Sequence, residues 1–192
     1  MIAHEITHGY DDQGAKYDLD GNINNWWNDQ DKELFKKKTN LMASQADQYV
    51  YVDPDNKKQY QMNAQLTMGE NLADLGGMSL SLKALKVLVN KQLDSINSVN
   101  SVNSVNSVNN INNERKELFM DGMIRVFFKS FANIWKQNIK KESLINRLTT
   151  DPHAPTDFRG NMVKNIDDFH RVFGTKKGDK MWLDEEQRVR MW

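Results

Sequence analysis

The chain contains no cysteine. That excludes a disulfide framework and any thiolate metal site, so a bound metal would have nitrogen and oxygen ligands only. It also contains no Asn-x-Ser/Thr triplet, and the two absences together point to a reducing compartment. Charge of one sign is missing as well: Lys+Arg and Asp+Glu stand at 26 each. No global field therefore draws the chain to nucleic acid or to an acidic membrane. No apolar run approaches the roughly 20 residues of a membrane span, and nothing ahead of His4 reads as a signal peptide. At 192 residues the chain is long enough for one domain with a core and short for two.

What is present concentrates at the start. His4-Glu5-Ile6-Thr7-His8 has the pattern His-Glu-x-x-His. On an α-helix, residues four apart lie one turn above each other, so His4 and His8 can aim imidazole nitrogens at one point. Two neutral imidazoles bind zinc, and a carboxylate beside them can take a proton from a water on the metal. The plainer reading of these five residues is an amphipathic helix with two partly exposed histidines. A zinc site needs a third ligand, and Thr67-Met68-Gly69-Glu70-Asn71-Leu72-Ala73-Asp74 offers Glu70. Asp74, one turn on, could accept the remaining ring N–H of a zinc histidine. Thr67-x-x-Glu70 also reads as a capping box, with Glu70 folded back on the helix start. Both alternatives place Glu70 in a first helical turn.

Helical periodicity marks residues 1 to about 9, Asp29 to about Tyr49, Thr67 to about Lys91, Glu114 to about Lys140 and Glu142 to Leu148. In the fourth of these, Leu118, Met123, Phe127, Phe128, Phe131 and Trp135 form a broad apolar stripe. Lys36-Lys37-Lys38 is a solvated face. Tyr49–Val52 and Gln59–Met62 flank Asp53-Pro54-Asp55-Asn56, a weak hairpin signal. Asp11 or Asp12 is placed to brace His8. Asp18-Leu19-Asp20-Gly21-Asn22 mimics the start of a calcium loop but lacks the distal glutamate, so it reads as a turn. Trp26-Trp27 reads as packing, and Gly76-Gly77 inside a helix implies close approach of another helix. Residues 95–113 carry Ser-Val-Asn four times from Ser98 to Asn109. A period of three fits neither helix nor strand, so a disordered low-complexity loop between two helices is expected. Asp151–Pro155 reads as a proline-held loop, Asn165 as the cap of a last helix ending near Gly174, and Met181, Trp182, Met191 and Trp192 as a docked tail.

Taken together, these blocks resemble the neprilysin family of metallopeptidases. His4–Asp12 with Gly14, Tyr17-Asp18, Gly21-Asn22 and Trp26-Trp27 is similar to its zinc signature, and Leu66–Gly77 to its second signature. Asp151–Pro155, Phe158-Arg159 and Asn165 resemble a third block, and Arg188–Trp192 the family's closing residues. The resemblance is to the C-terminal catalytic part and covers the whole chain. It implies a mainly α, zincin-like (thermolysin-like) catalytic lobe that lacks the upstream strands, with one zinc held by His4, His8 and Glu70. It further implies Glu5 as general base, Asp74 orienting a zinc histidine, and His153 with Arg159 steadying the oxyanion. On its own, His153 in Asp-Pro-His-Ala-Pro reads as a plain loop histidine. The implied substrate is an oligopeptide cut before a hydrophobic residue. In such enzymes the peptide lies along an edge strand ahead of the zinc helix, so a missing N-terminal half or a partner chain is expected. The reading from a different class is a non-catalytic zinc-binding or interaction module.

Overall fold

The computed structural model describes the backbone of residues 1–100 and 106–191, and the side chains of these except 96–112. Seven α-helices and one hairpin are found among them: α1 (Ile2–Thr7), α2 (Asp29–Asp47), β1 (Val50–Val52), β2 (Gln59–Gln61), α3 (Met68–Asn100), α4 (Asn106–Ile134), α5 (Lys141–Thr150), α6 (Thr156–Asn161) and α7 (Asp167–Phe173). The class is mainly α, as expected.

α3 is the axis. Every residue from Asn71 to Met78 is buried, so this helix has no solvent face where it passes through the core. Leu72, Leu75, Met78 and Leu82 pack there with Met42 of α2, Ile124 and Phe128 of α4, Phe169 and Val172 of α7, and Val189 and Met191 of the tail. α1 makes its main packing contact along α3. The approach is close because of Gly77: a Cβ there would lie 2.8 Å from the His4 nitrogen and 2.9 Å from its Cα. The glycine in the helix body thus seats α1 by letting two backbones touch.

The remaining elements follow local chemistry. Asn28 caps α2, its side chain accepting from the Asp31 N–H at 2.8 Å, with Asp29 and Asp31 in the first turn. β1 and β2 pair antiparallel, Val50 opposite Gln61. Met62 beside the hairpin joins Ala46, Ala64, Leu148 and Ala154 in a second, smaller core. Asp18 closes its turn by accepting from the backbone of Asp20 and Asn22, each at 3.0 Å. Trp27 stacks on Phe35 with ring centroids 5.2 Å apart, and its indole N–H donates to the Ala15 carbonyl.

Three expectations are corrected. Helix continues to Asn100 and resumes at Asn106, so both flanks of the Ser-Val-Asn repeat are helical where a loop was expected; residues 101–105 lie outside the described residues. The neighbouring helices impose their geometry on a sequence with no helical period of its own. Asn165 does not cap α7: Ile166 occupies that position without a side-chain bond. Asn165 is buried instead, accepting from Val189 N and Gln45 Nε2 at 2.8 Å each and so tying the tail to α2. Finally, α4 ends at Ile134, short of Lys140. Gly174 does end α7, in the left-handed region at φ 65°. In the tail, Met191 is buried and Lys38 donates to its carbonyl at 2.9 Å; Trp192 is outside the described residues.

Candidate metal centre

α1 and α3 bring the three expected ligands together. His4 Nε2 lies 3.2 Å from His8 Nε2 and 3.3 Å from Glu70 Oε2, and His8 Nε2 lies 3.5 Å from Glu70 Oε1. Zn–N and Zn–O bonds of about 2.0–2.1 Å at tetrahedral angles give a ligand–ligand edge of about 3.3–3.4 Å. The His4–His8 and His4–Glu70 separations, 3.2 and 3.3 Å, lie close to that value, and the other Glu70 oxygen faces His8 at 3.5 Å.

The ring tautomers point the same way. His4 Nδ1 is 2.9 Å from Asp74 Oδ1, and His8 Nδ1 is 2.7 Å from Asp11 Oδ2. An ionised carboxylate only accepts, so each Nδ1 carries a hydrogen, and in its neutral form each ring turns an Nε2 lone pair inward. Two lone pairs and a carboxylate facing one point repel one another unless a cation sits between them, and the donor set is one that zinc favours. Asp11 is fixed in turn by the N–H groups of Gln13 and Gly14, at 2.8 and 2.7 Å. The aspartate bracing His8 is therefore Asp11.

The capping-box alternative for Glu70 does not hold. Thr67 donates its hydroxyl to the Asn63 carbonyl and accepts from Asn71, each at 3.2 Å. Asn63 closes the turn ahead of α3, its side chain accepting from the Leu66 N–H at 3.0 Å. The Glu70 carboxylate points away from the helix start, to the histidines.

Asp74 is the hinge of the wiring. Besides His4 it accepts from Arg159, Nε to Oδ2 at 2.6 Å and Nη2 to Oδ1 at 2.8 Å. Burial pushes the Asp74 carboxyl up, but the bonds from Arg159 and His4 outweigh it and hold the group below the usual carboxylate range. The same bond from Asp74 raises His4 against the opposing effect of burial. His153 reaches the centre from its loop, Nε2 3.4 Å from Glu70 Oε2. Its Nδ1 and backbone N–H both bond Asp151 Oδ1 at 2.9 Å. Asp151 is thus a site residue that the sequence did not single out. Its signal was there, a carboxylate two residues before a loop histidine, but that spacing is common in ordinary turns.

Glu5 is exposed and lines, with His4, His8, Glu70, His153 and Arg159, a cleft of about 580 Å³. Met78, Phe127, Phe131, Ile134 and Trp135 form its apolar wall. No other cluster of histidine and carboxylate ligands converges among the described residues.

A family model, peptidase family M13, matches residues 1–189, and the chain belongs to that family. It is 31% identical to the neutral endopeptidase of Lactococcus lactis subsp. lactis over all of this chain and 25% of the relative. It is 34% identical to an endothelin-converting enzyme homolog of Locusta migratoria, over 94% of this chain and 22% of that one. Among solved structures, the zinc metalloprotease Zmp1 of Mycobacterium tuberculosis superposes with a TM-score of 0.75 at 34% identity, covering 98% of this chain and 26% of that one. The chain spans about a quarter of the length of the curated relatives it matches.

Proposed function

We propose that this chain supplies the metal centre and proton-transfer groups of a zinc-dependent endopeptidase. The observation that carries the reading is the convergence of His4, His8 and Glu70 on one point, with Glu5 and His153 on the same cleft. His4, His8 and Glu70 would hold one zinc, with Asp74 and Asp11 fixing the two imidazoles. When bound, the metal polarises a peptide carbonyl and brings the pKa of a water to about 7. Glu5, exposed to the cleft and outside the ligand set, takes the proton of the attacking water. It then delivers that proton to the departing amine. The Arg159 guanidinium, oriented by Asp74, serves as an oxyanion donor; His153, its Nδ1–H held by Asp151, adds a second donor at Nε2 when the ring is in its imidazolium form. The apolar wall receives the hydrophobic side chain that follows the cut bond. Among the described residues the only sheet is β1–β2, and neither strand lines the cleft. An edge strand for the peptide must then come from further polypeptide, either the rest of a longer protein or a partner chain.

A second reading, a zinc-binding module without catalysis, draws on one feature. Ile2 and Ile6 on the outer face of α1 are 81% and 55% exposed, a face suited to contact with another polypeptide. The decisive experiment supplies the remaining three quarters of an M13 relative, fused or as a separate chain, and measures peptide hydrolysis with and without Glu5→Gln. Glu5→Gln should keep the zinc and lower the rate by roughly 10²–10⁴-fold. A zinc-loaded, folded assembly that cuts no peptide would favour the module; equal cutting by Glu5→Gln would remove Glu5 as the base.

A further inference from the structure

The wiring of Arg159 is only half explained by Asp74. A guanidinium is flat, with hydrogen-bonding edges and two faces. Asp74 occupies the Nε/Nη2 edge, and Nη2 lies a further 3.4 Å from Glu70 Oε2. One face is covered by Trp135, whose ring centroid is 4.2 Å from the Arg159 Cζ. Nη1 makes no hydrogen bond to a described residue. Trp135 also packs edge-on with Phe131, ring centroids 5.9 Å apart at 70°. Its indole N–H is buried without a partner. The tryptophan therefore offers this site its aromatic face and not its donor.

We propose that Trp135 is a positioning residue: by stacking on Arg159 it keeps the guanidinium, which lines the cleft, in register with Asp74. The benefit follows from preorganisation, since a donor that does not have to reorient is worth more to a developing oxyanion. A covered face also excludes water from one side of the Arg159–Asp74 pair and strengthens it. The claim rests on the oxyanion role read above for Arg159, but the position of the guanidinium can be tested without it.

The test uses the whole chain with ¹⁵N-labelled arginine and compares Trp135→Phe with Trp135→Leu. Phenylalanine keeps an aromatic face, whereas leucine keeps apolar bulk without one. The Arg159 Nε–H signal is assigned by its loss in Arg159→Lys, and its hydrogen exchange is followed with zinc added. Trp135→Phe should stay within about twofold of wild type, and Trp135→Leu should exchange about five- to tenfold faster, between the values for an exposed and a fully desolvated cation–π contact. Arg188 is the internal control, because its Cζ lies 4.9 Å from the Trp182 ring and owes nothing to Trp135. Unchanged exchange of Arg159 in Trp135→Leu overturns the proposal. Equal acceleration of Arg159 and Arg188 overturns it too, because the effect is then general loosening. In the reconstituted peptidase, Trp135→Leu should lower kcat about five- to tenfold with KM within about twofold, and should add nothing in an Arg159→Ala background. Equal losses in both backgrounds would make Trp135 a cleft wall only. Should the wild-type assembly cut no peptide, the functional reading fails and the arginine exchange still decides the positioning claim.

Discussion

The chain contains two Arg–Asp–Trp constellations, and they do different work. In the metal centre Arg159 bonds Asp74 and stacks on Trp135; near the C-terminus Arg188 bonds Asp167 at 2.7 Å and stacks on Trp182. The arginine is buried in both. The aspartates differ: the Asp74 side chain is 4% exposed and passes its charge on to His4, while Asp167 is 57% exposed and is shared with Arg190. A buried carboxylate with two partners orients a third group, because water cannot substitute for any of its bonds. An exposed one only fastens a tail, because water can. The side-chain types are the same, and burial with the next partner in line assigns the role.

Removing each aspartate should give the largest contrast. Asp74→Ala leaves the Arg159 charge buried and unpaired, and should cost about 3–5 kcal/mol in urea unfolding. Chelator titration should show zinc bound at least about 10–100-fold more weakly, because His4 loses its orienting partner. Asp167→Ala leaves Arg188 its bond to the Leu183 carbonyl but takes the carboxylate from a guanidinium only 3% exposed, so about 1–3 kcal/mol should be lost, with zinc affinity unchanged. Similar losses from the two would break the comparison.

Two glycines sharpen it at a lower level. Gly77→Ala drives a methyl into the backbone of His4, so α1 must shift; a loss of about 1–3 kcal/mol is expected, together with weaker zinc binding. Gly174→Ala meets nothing within 4 Å but sits at φ +65°. Only backbone strain of about 1–2 kcal/mol should follow, with zinc binding intact. A Gly77→Ala protein with wild-type zinc affinity would show that α1 is not seated by that contact.

The smallest effect separates the histidines by pH. His170 packs against Trp182, and burial holds it below its ordinary value, while its bond to the Lys164 carbonyl opposes the shift. A histidine depressed in the folded state binds fewer protons there than in the unfolded chain. Its contribution is complete above about pH 6.5 and declines as pH falls through its folded value. The stability difference between wild type and His170→Gln should therefore shrink on acidification from about pH 7 to 5. A difference that grows over this range would reverse the assignment.

Much of the centre was legible because its parts are local. His4 and His8 share a helical face by spacing alone, and Asp74 follows Glu70 by one turn. Other roles were hidden because they depend on residues far apart in sequence. Trp135 falls on the apolar stripe that the sequence predicts by its period, and only the fold, which ends α4 at Ile134, lays it over Arg159. Asn165 looks like a helix cap in sequence, yet its carbonyl oxygen is needed by Val189 of the tail and Gln45 of α2. The Ser-Val-Asn repeat has no helical period, yet helix enters it from both sides, since a helix once nucleated extends at low cost per residue.

The sequence by itself determined the chemistry available: nitrogen and oxygen ligands only, two imidazoles one helical turn apart with a carboxylate beside the first, and a second segment holding a candidate third ligand and its neighbour. Those are properties of residue type and of the 3.6-residue period, which act within a few positions of the chain. The tertiary structure decided whether Glu70 would cap its helix or meet the histidines, which aspartate would brace which ring, and what would cover Arg159. Each of those choices turns on distances between segments tens of residues apart, set by how α1 settles against Gly77 and by which charges the core leaves without water.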